Sequence, residues 1–257
     1  MLIKRRVGGY GDILMQRMMW EDFSAQNPSL RFTFACPSQY YEFASRHPFI
    51  ETIRLDEASE REYGAVYDIT TACRVHESRA GDRNDKNRSD IWANSCGVEL
   101  SRHDMHLAVD PDCRRSVALD LGRLNPEGRP IVLFAPRSTA CEFGTAKSLT
   151  DRQTAGVAAS LRDMGLFVLG IHNCRIEPLE ALGVPQLTAV PPDRWIAATD
   201  LADYVVSVDT STFHLAGGLR KKMVGVFTFT DGKVYGKYYD FVLVQRHRDN
   251  GDWDCGP

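Results

Sequence analysis

Apolar residues fall into short runs separated by amphipathic stretches, and this alternation continues along most of the chain. In the first half, residues 2–7, 31–35, 51–55 and 65–70 read as strands, being short, apolar and β-branched or aromatic. Between the first two, residues 12–25 carry Leu14, Met15, Met18, Met19 and Phe23 at helical spacing, which predicts a helix with its methionines in the core. The β-α-β order implies a parallel sheet with right-handed crossovers.

Residues 74–106 break the pattern. They are polar, rich in arginine and histidine, and only 90–96 looks helical, so the stretch reads as a long loop. A turn-forming segment at 124–128 marks a boundary, and the alternation then restarts. Residues 131–135, 166–171, 204–208, 223–227 and 241–245 read as strands, with helices at 150–164 and 212–219. Thr150 and Gln153 have capping-box spacing, and Val157, Leu161 and Met164 give that helix an inward face. The fold class expected is α/β: two Rossmann-like, doubly wound domains facing each other, residues 1–125 and 126–257.

The 257 residues suffice for two such cores, and 43% hydrophobic with 25% charged residues is the composition of an ordinary globular protein. No apolar run is long enough to span a membrane. The start, residues 1–7, reads as a first strand and not a secretory signal, so a cytoplasmic location is expected, with peripheral contact at the inner face of the membrane compatible with it. A net charge of −3 argues against non-specific coating of nucleic acid. The seven cysteines show no metal-ligand spacing; Cys255, in a polar tail, is the one expected to be exposed.

Three stretches carry candidate chemistry. Gly8, Gly9 and Gly11, after the first strand, permit a tight turn with free amides at a helix start, where Asp12 either caps the helix or serves a ligand. Arg137 and Ser138 follow the strand at 131–135, and Lys147 precedes the next helix; the two cations suit a phosphate leaving group. Asp209 and Thr210 end a β-branched strand just before a helix begins. There the amides of Ser211 and Thr212, with the Thr210 hydroxyl, suit a diphosphate, and Asp209 suits sugar hydroxyls. His214, one turn in, faces the ligand or is a satisfied core histidine.

In order and spacing these stretches resemble the bacterial heptosyltransferase family, glycosyltransferase family nine. The match lies in Gly8-Gly9-Tyr10-Gly11-Asp12, in Pro136 and Lys147, and most specifically in Asp209-Thr210 followed by His214-Leu215-Ala216. The resemblance implies a GT-B fold, an acceptor held by the N-terminal domain and a nucleotide-diphosphate sugar held by the C-terminal one. It implies transfer with inversion, without metal or cofactor. Asp12 would be the general base, Lys147 would hold the diphosphate, Asp209 the sugar hydroxyls, Thr210 and Ser211 the phosphate, and His214 would support the site.

The chain departs from the family pattern at Ser211, where relatives carry glycine, and at Lys147-Ser148-Leu149. It is shorter than typical members, and Glu177 is the nearest candidate for the ribose-binding acid. The implied acceptor is a lipopolysaccharide-core saccharide or glycolipid, met by Arg74, Arg79, Arg83 and Arg88. The same arginines would also suit a nucleic-acid backbone, as in glycosylation of modified bases in viral DNA. A nucleotide-sugar-binding protein without turnover is a further alternative, as is an NAD-dependent oxidoreductase using the glycine turn.

Overall fold

The computed structural model describes residues 1–138 and 146–245. Cys141 and Cys255 therefore lie outside the described residues. The chain divides into two compact units, Met1–Ala108 and Val109–Pro257.

The first unit is built on a parallel sheet of β1 (Leu2–Lys4), β2 (Thr33–Cys36), β3 (Glu51–Arg54) and β4 (Val66–Asp68), in the order β3-β2-β1-β4. Its helices are α1 (Tyr10–Arg17), α2 (Met19–Gln26), α3 (Tyr41–Ala44), α4 (Ala72–Ala80) and α5 (Arg88–Ser95). The second unit opens with α6 (Pro111–Leu124) and β5 (Ile131–Ala135), followed by α7 (Asp151–Asp163), β6 (Phe167–His172) and α8 (Glu177–Ala181). It continues with β7 (Gln186–Thr188), α9 (Pro192–Leu201), β8 (Tyr204–Val208), α10 (Ser211–Gly218), β9 (Lys222–Phe227), α11 (Gly232–Tyr235) and β10 (Val242–Gln245). All pairings in its sheet, ordered β10-β9-β8-β5-β6-β7, are parallel.

Strand β5 shows why its near-continuous apolar run was needed. With both faces of a parallel sheet covered, alternate residues serve opposite layers. Leu133 and Ala135 pack with Val117 and Leu121 of α6 and Phe213 of α10. Phe134 packs with Ala158 of α7 and Leu179 of α8 on the other side.

Each sheet reverses its strand order once. In the first unit β1 leads to β2 and β3 on one side and has β4 on the other; in the second, β5 leads to β6 and β7, and β8 leads to β9 and β10. The carboxyl ends at such a reversal leave a crevice where α/β proteins bind ligands.

Four expectations are corrected. The helix expected over 12–25 is two helices joined at Met18; Met15, Met18 and Met19 are buried, as their spacing predicted. In the polar stretch 74–106, α5 matches the helix expected at 90–96, but the rest is not one long loop, since it contains most of α4. Only Cys73 of α4 is buried, so this helix has no apolar stripe for a sequence to display. The unit boundary lies at Ala108/Val109 and not at 125/126, because α6 buries Val117 and Leu121 in the second unit's core. Helix α7 turns Thr154 and Ala158 fully inward, with Val157 and Leu161 partly buried, whereas Met164 is 73% exposed. Among the described residues no helix is long and apolar enough to cross a membrane.

Candidate active site

In the first unit, the chain leaves β1 and turns through Gly8, whose φ of +150° favours glycine. A Cβ there would lie 2.4 Å from the Arg5 guanidinium, which is packed beneath the turn. Arg5 donates through Nε to the Val7 carbonyl (2.9 Å) and lies over the Trp92 ring, 4.3 Å from its centroid. Gly9 is the N-cap of α1, and Gly11 falls in its first turn. Asp12, third in the helix, reaches back to accept the Gly9 amide at 3.1 Å.

The Asp12 carboxylate is also the centre of an ion cluster. Arg5 Nη2 lies 2.9 Å from Oδ2 and Arg88 Nη1 lies 2.7 Å from Oδ1. Arg88 in turn grips Glu77 through Nε and Nη2, at 2.7 and 2.9 Å. Burial would raise the Asp12 pKa, but Arg88, Arg5 and the Gly9 amide overcome it and hold the carboxyl at about 2. Of the arginines proposed for the acceptor, Arg88 is the one that meets Asp12. Arg74, Arg79 and Arg83 are exposed, and Arg79 lines a separate cavity of about 410 Å³ with His76 and Lys86.

In the second unit the sheet brings two distant stretches together at its reversal. After β5 the chain passes Pro136, Arg137 and Ser138; on its return, Leu149 donates to the Pro136 carbonyl (2.9 Å) and Ser148 Oγ accepts the Ser138 amide (2.9 Å). This return delivers Lys147 Nζ to within 2.7 Å of Asp209 Oδ2, at the end of β8. Thr230 Oγ1 donates to the same oxygen at 2.6 Å. His214 is buried on α10, with Nε2 3.7 Å from Asp209 Oδ1 and Nδ1 3.0 Å from the Tyr239 hydroxyl. Burial opposes ionisation of Asp209, yet His214 and Lys147 keep its pKa far below the usual carboxylate range. Burial, then the Asp209 charge, pushes the Tyr239 phenol well above 10.

Thr210 is the N-cap of α10 and makes no side-chain cap, so Ser211 and Thr212 begin the helix beside Asp209 with its positive end uncapped by a side chain. Arg137 pairs with Asp151, the first residue of α7, and Glu177 is the first residue of α8.

Sequence reasoning missed Arg5, Glu77, Thr230 and Tyr239. Thr230 was within reach, because it lies just beyond β9, the neighbour of β8. Tyr239 has no local signal; its role depends on Gly217, where an added Cβ would meet the tyrosine ring at 2.5 Å.

The architecture has close counterparts among solved structures. The ADP-heptose LPS heptosyltransferase II of E. coli aligns over 97% of this chain and 91% of its own, with a TM-score of 0.68 at 17% identity. The chain has the GT-B fold of these enzymes. A glycosyltransferase family 9 structure from Veillonella parvula aligns over 95% and 86%, with a TM-score of 0.72 at 12% identity. The E. coli heptosyltransferase WaaC with ADP aligns over 95% and 91%, with a TM-score of 0.61 at 15% identity. No protein-family model and no curated protein sequence matches the chain.

The fold agreement covers the middle of the chain, residues 30–125, where the sequence carried no motif. In chemical terms, the second unit offers an ammonium and a helix start for a diphosphate, with a buried carboxylate behind them. The first unit offers a carboxylate held in its charged form.

Proposed function

We propose that this chain is an inverting glycosyltransferase that moves a sugar from a nucleotide-diphosphate sugar to an acceptor hydroxyl, without a metal. One observation carries the reading: Lys147 stands 2.7 Å from Asp209, beside the side-chain-uncapped start of α10, where the second sheet reverses. That is a place for a diphosphate with hydroxyls next to it.

In this reading the second unit binds the donor and the first binds the acceptor. The amides of Ser211 and Thr212 and the ammonium of Lys147 take the diphosphate, and Asp209 accepts from sugar hydroxyls. The acceptor oxygen bonds to the anomeric carbon while the bond from that carbon to the diphosphate oxygen breaks. The electron pair leaves on the diphosphate, which Lys147 stabilises, and the acceptor proton passes to Asp12. Asp12, at a pKa of about 2, is a weak base, but the acceptor O–H becomes strongly acidic once its oxygen bonds to carbon. A weak, well-placed carboxylate therefore suffices. The neighbours' names, which include ADP-heptose and LPS, support an ADP-sugar donor and a lipopolysaccharide-core acceptor.

The test is binding and nucleotide release across ADP-, UDP- and GDP-sugars, comparing the native chain with Asp12→Asn. One donor should bind, and the variant should lose turnover by at least about 100-fold with its affinity retained. Thermal stabilisation by NAD and by none of the sugars would sink the reading.

A further inference from the structure

A carboxylate offers about four acceptor positions. Among the described residues three donors reach Asp12: Arg5 Nη2 and the Gly9 amide on Oδ2, and Arg88 Nη1 on Oδ1. Oδ2 is filled, and one lone pair of Oδ1 remains, next to the Arg88 guanidinium. The Asp12 side chain keeps 15% of its surface exposed, so this lone pair belongs to a group that solvent reaches.

Arg88 does not depend on Asp12 for its place. Its Nε and Nη2 form a two-bond fork with Glu77, which fixes the guanidinium plane. Glu77 comes from α4 and Arg88 from the start of α5, so the polar insertion folds back to aim one N–H at Asp12. The charged and titratable groups around the carboxylate are Arg5 from the segment after β1, Arg88 from α5, and Glu77 and Cys73 from α4.

We propose that Arg88, braced by Glu77, is a positioning residue that pins Asp12 Oδ1 so that its one open lone pair receives the acceptor hydroxyl. This rests on the reading of Asp12 as proton acceptor. If a weak base acts late in the reaction, its placement governs the rate more than its basicity does.

The test follows ADP release from ADP-heptose by the full chain, with ADP affinity measured separately by calorimetry. Arg88→Gln and Asp12→Asn should each lose about 100-fold or more in turnover, with ADP affinity unchanged. Arg88→Lys, which keeps the charge but not the fork, should fall between Arg88→Gln and native, and Glu77→Gln should show a smaller loss. Native turnover in Arg88→Gln with an inactive Asp12→Asn overturns the positioning role and leaves Asp12 standing. Native turnover in Asp12→Asn overturns the reading of Asp12 itself. A second arm needs no substrate: carbon-13 titration of the Asp12 carboxyl should move upward in Arg88→Gln and less in Arg88→Lys. An unmoved titration also overturns the proposal, whichever donor the chain uses.

Discussion

The two units each place a carboxylate where their sheet reverses, buried at Asp209 and partly exposed at Asp12, but they surround it differently. Asp12 sits between two guanidinium groups, one of them locked by Glu77. Among the described residues Asp209 pairs with one lysine or arginine, Lys147, and takes its remaining support from the Thr230 hydroxyl and the His214 imidazole backed by Tyr239. Planar forks hold a geometry, whereas an ammonium on a flexible stem leaves easily for another anion. If Lys147 turns to a diphosphate, Asp209 still keeps Thr230 and His214. The first unit is built to hold its carboxylate still, and the second to release a cation without stranding one.

The sharpest way to break this contrast is to remove Asp209. Asp209→Ala leaves a mostly buried ammonium without its carboxylate, which costs about 3–5 kcal/mol in urea unfolding. Lys147→Met should cost clearly less, because Thr230 and His214 stay on Asp209, and the double variant should recover part of the Asp209→Ala loss. Equal losses in the two single variants would mean that Lys147 is structural and not free to leave.

Acid tests the first unit. The Asp12 pKa is depressed from its ordinary value to about 2, so its stabilisation is complete above pH ~4 and disappears as pH falls towards 2. The native chain should exceed Asp12→Asn by about 2 kcal/mol at pH 6, and the difference should shrink steadily below pH 4. The Asp209 pKa is depressed further, so the corresponding difference for Asp209→Asn should survive to lower pH. A difference for Asp12 that ignores pH would show that its arginines do not act through charge.

The contrast also explains what the sequence disclosed. The second hub was legible because its carboxylate ends a β-branched strand and its cation follows another; both lie at carboxyl ends, where α/β sheets bind ligands. The strands at 131–135 and 204–208 have the bounds their apolar runs predicted. The first hub was legible only as a glycine turn followed by an aspartate. Its arginines act through tertiary placement: Arg5 by folding under the turn, Arg88 from the start of α5, locked by Glu77 of α4, a helix that shows no apolar stripe. The same polarity hid α4. Charged, half-buried helices look like loops when apolar periodicity is the only guide.

The smallest expected effect asks how much of the first hub is the turn itself. Gly8→Ala would press a methyl against the Arg5 guanidinium in a backbone region that favours glycine, so a loss of order 1 kcal/mol or somewhat more is expected. It should come with a rise in the Asp12 titration, because Arg5 must move. At Gly9 the backbone is extended and an added Cβ meets nothing within 4 Å, while the amide that Asp12 accepts is retained. Gly9→Ala should therefore cost about 1 kcal/mol or less, mostly as a poorer N-cap, and leave the Asp12 titration in place. Were the two variants to shift that titration equally, Arg5 would not be the link between the turn and the carboxylate, and rigidity in this hub would rest on Arg88 and Glu77 alone.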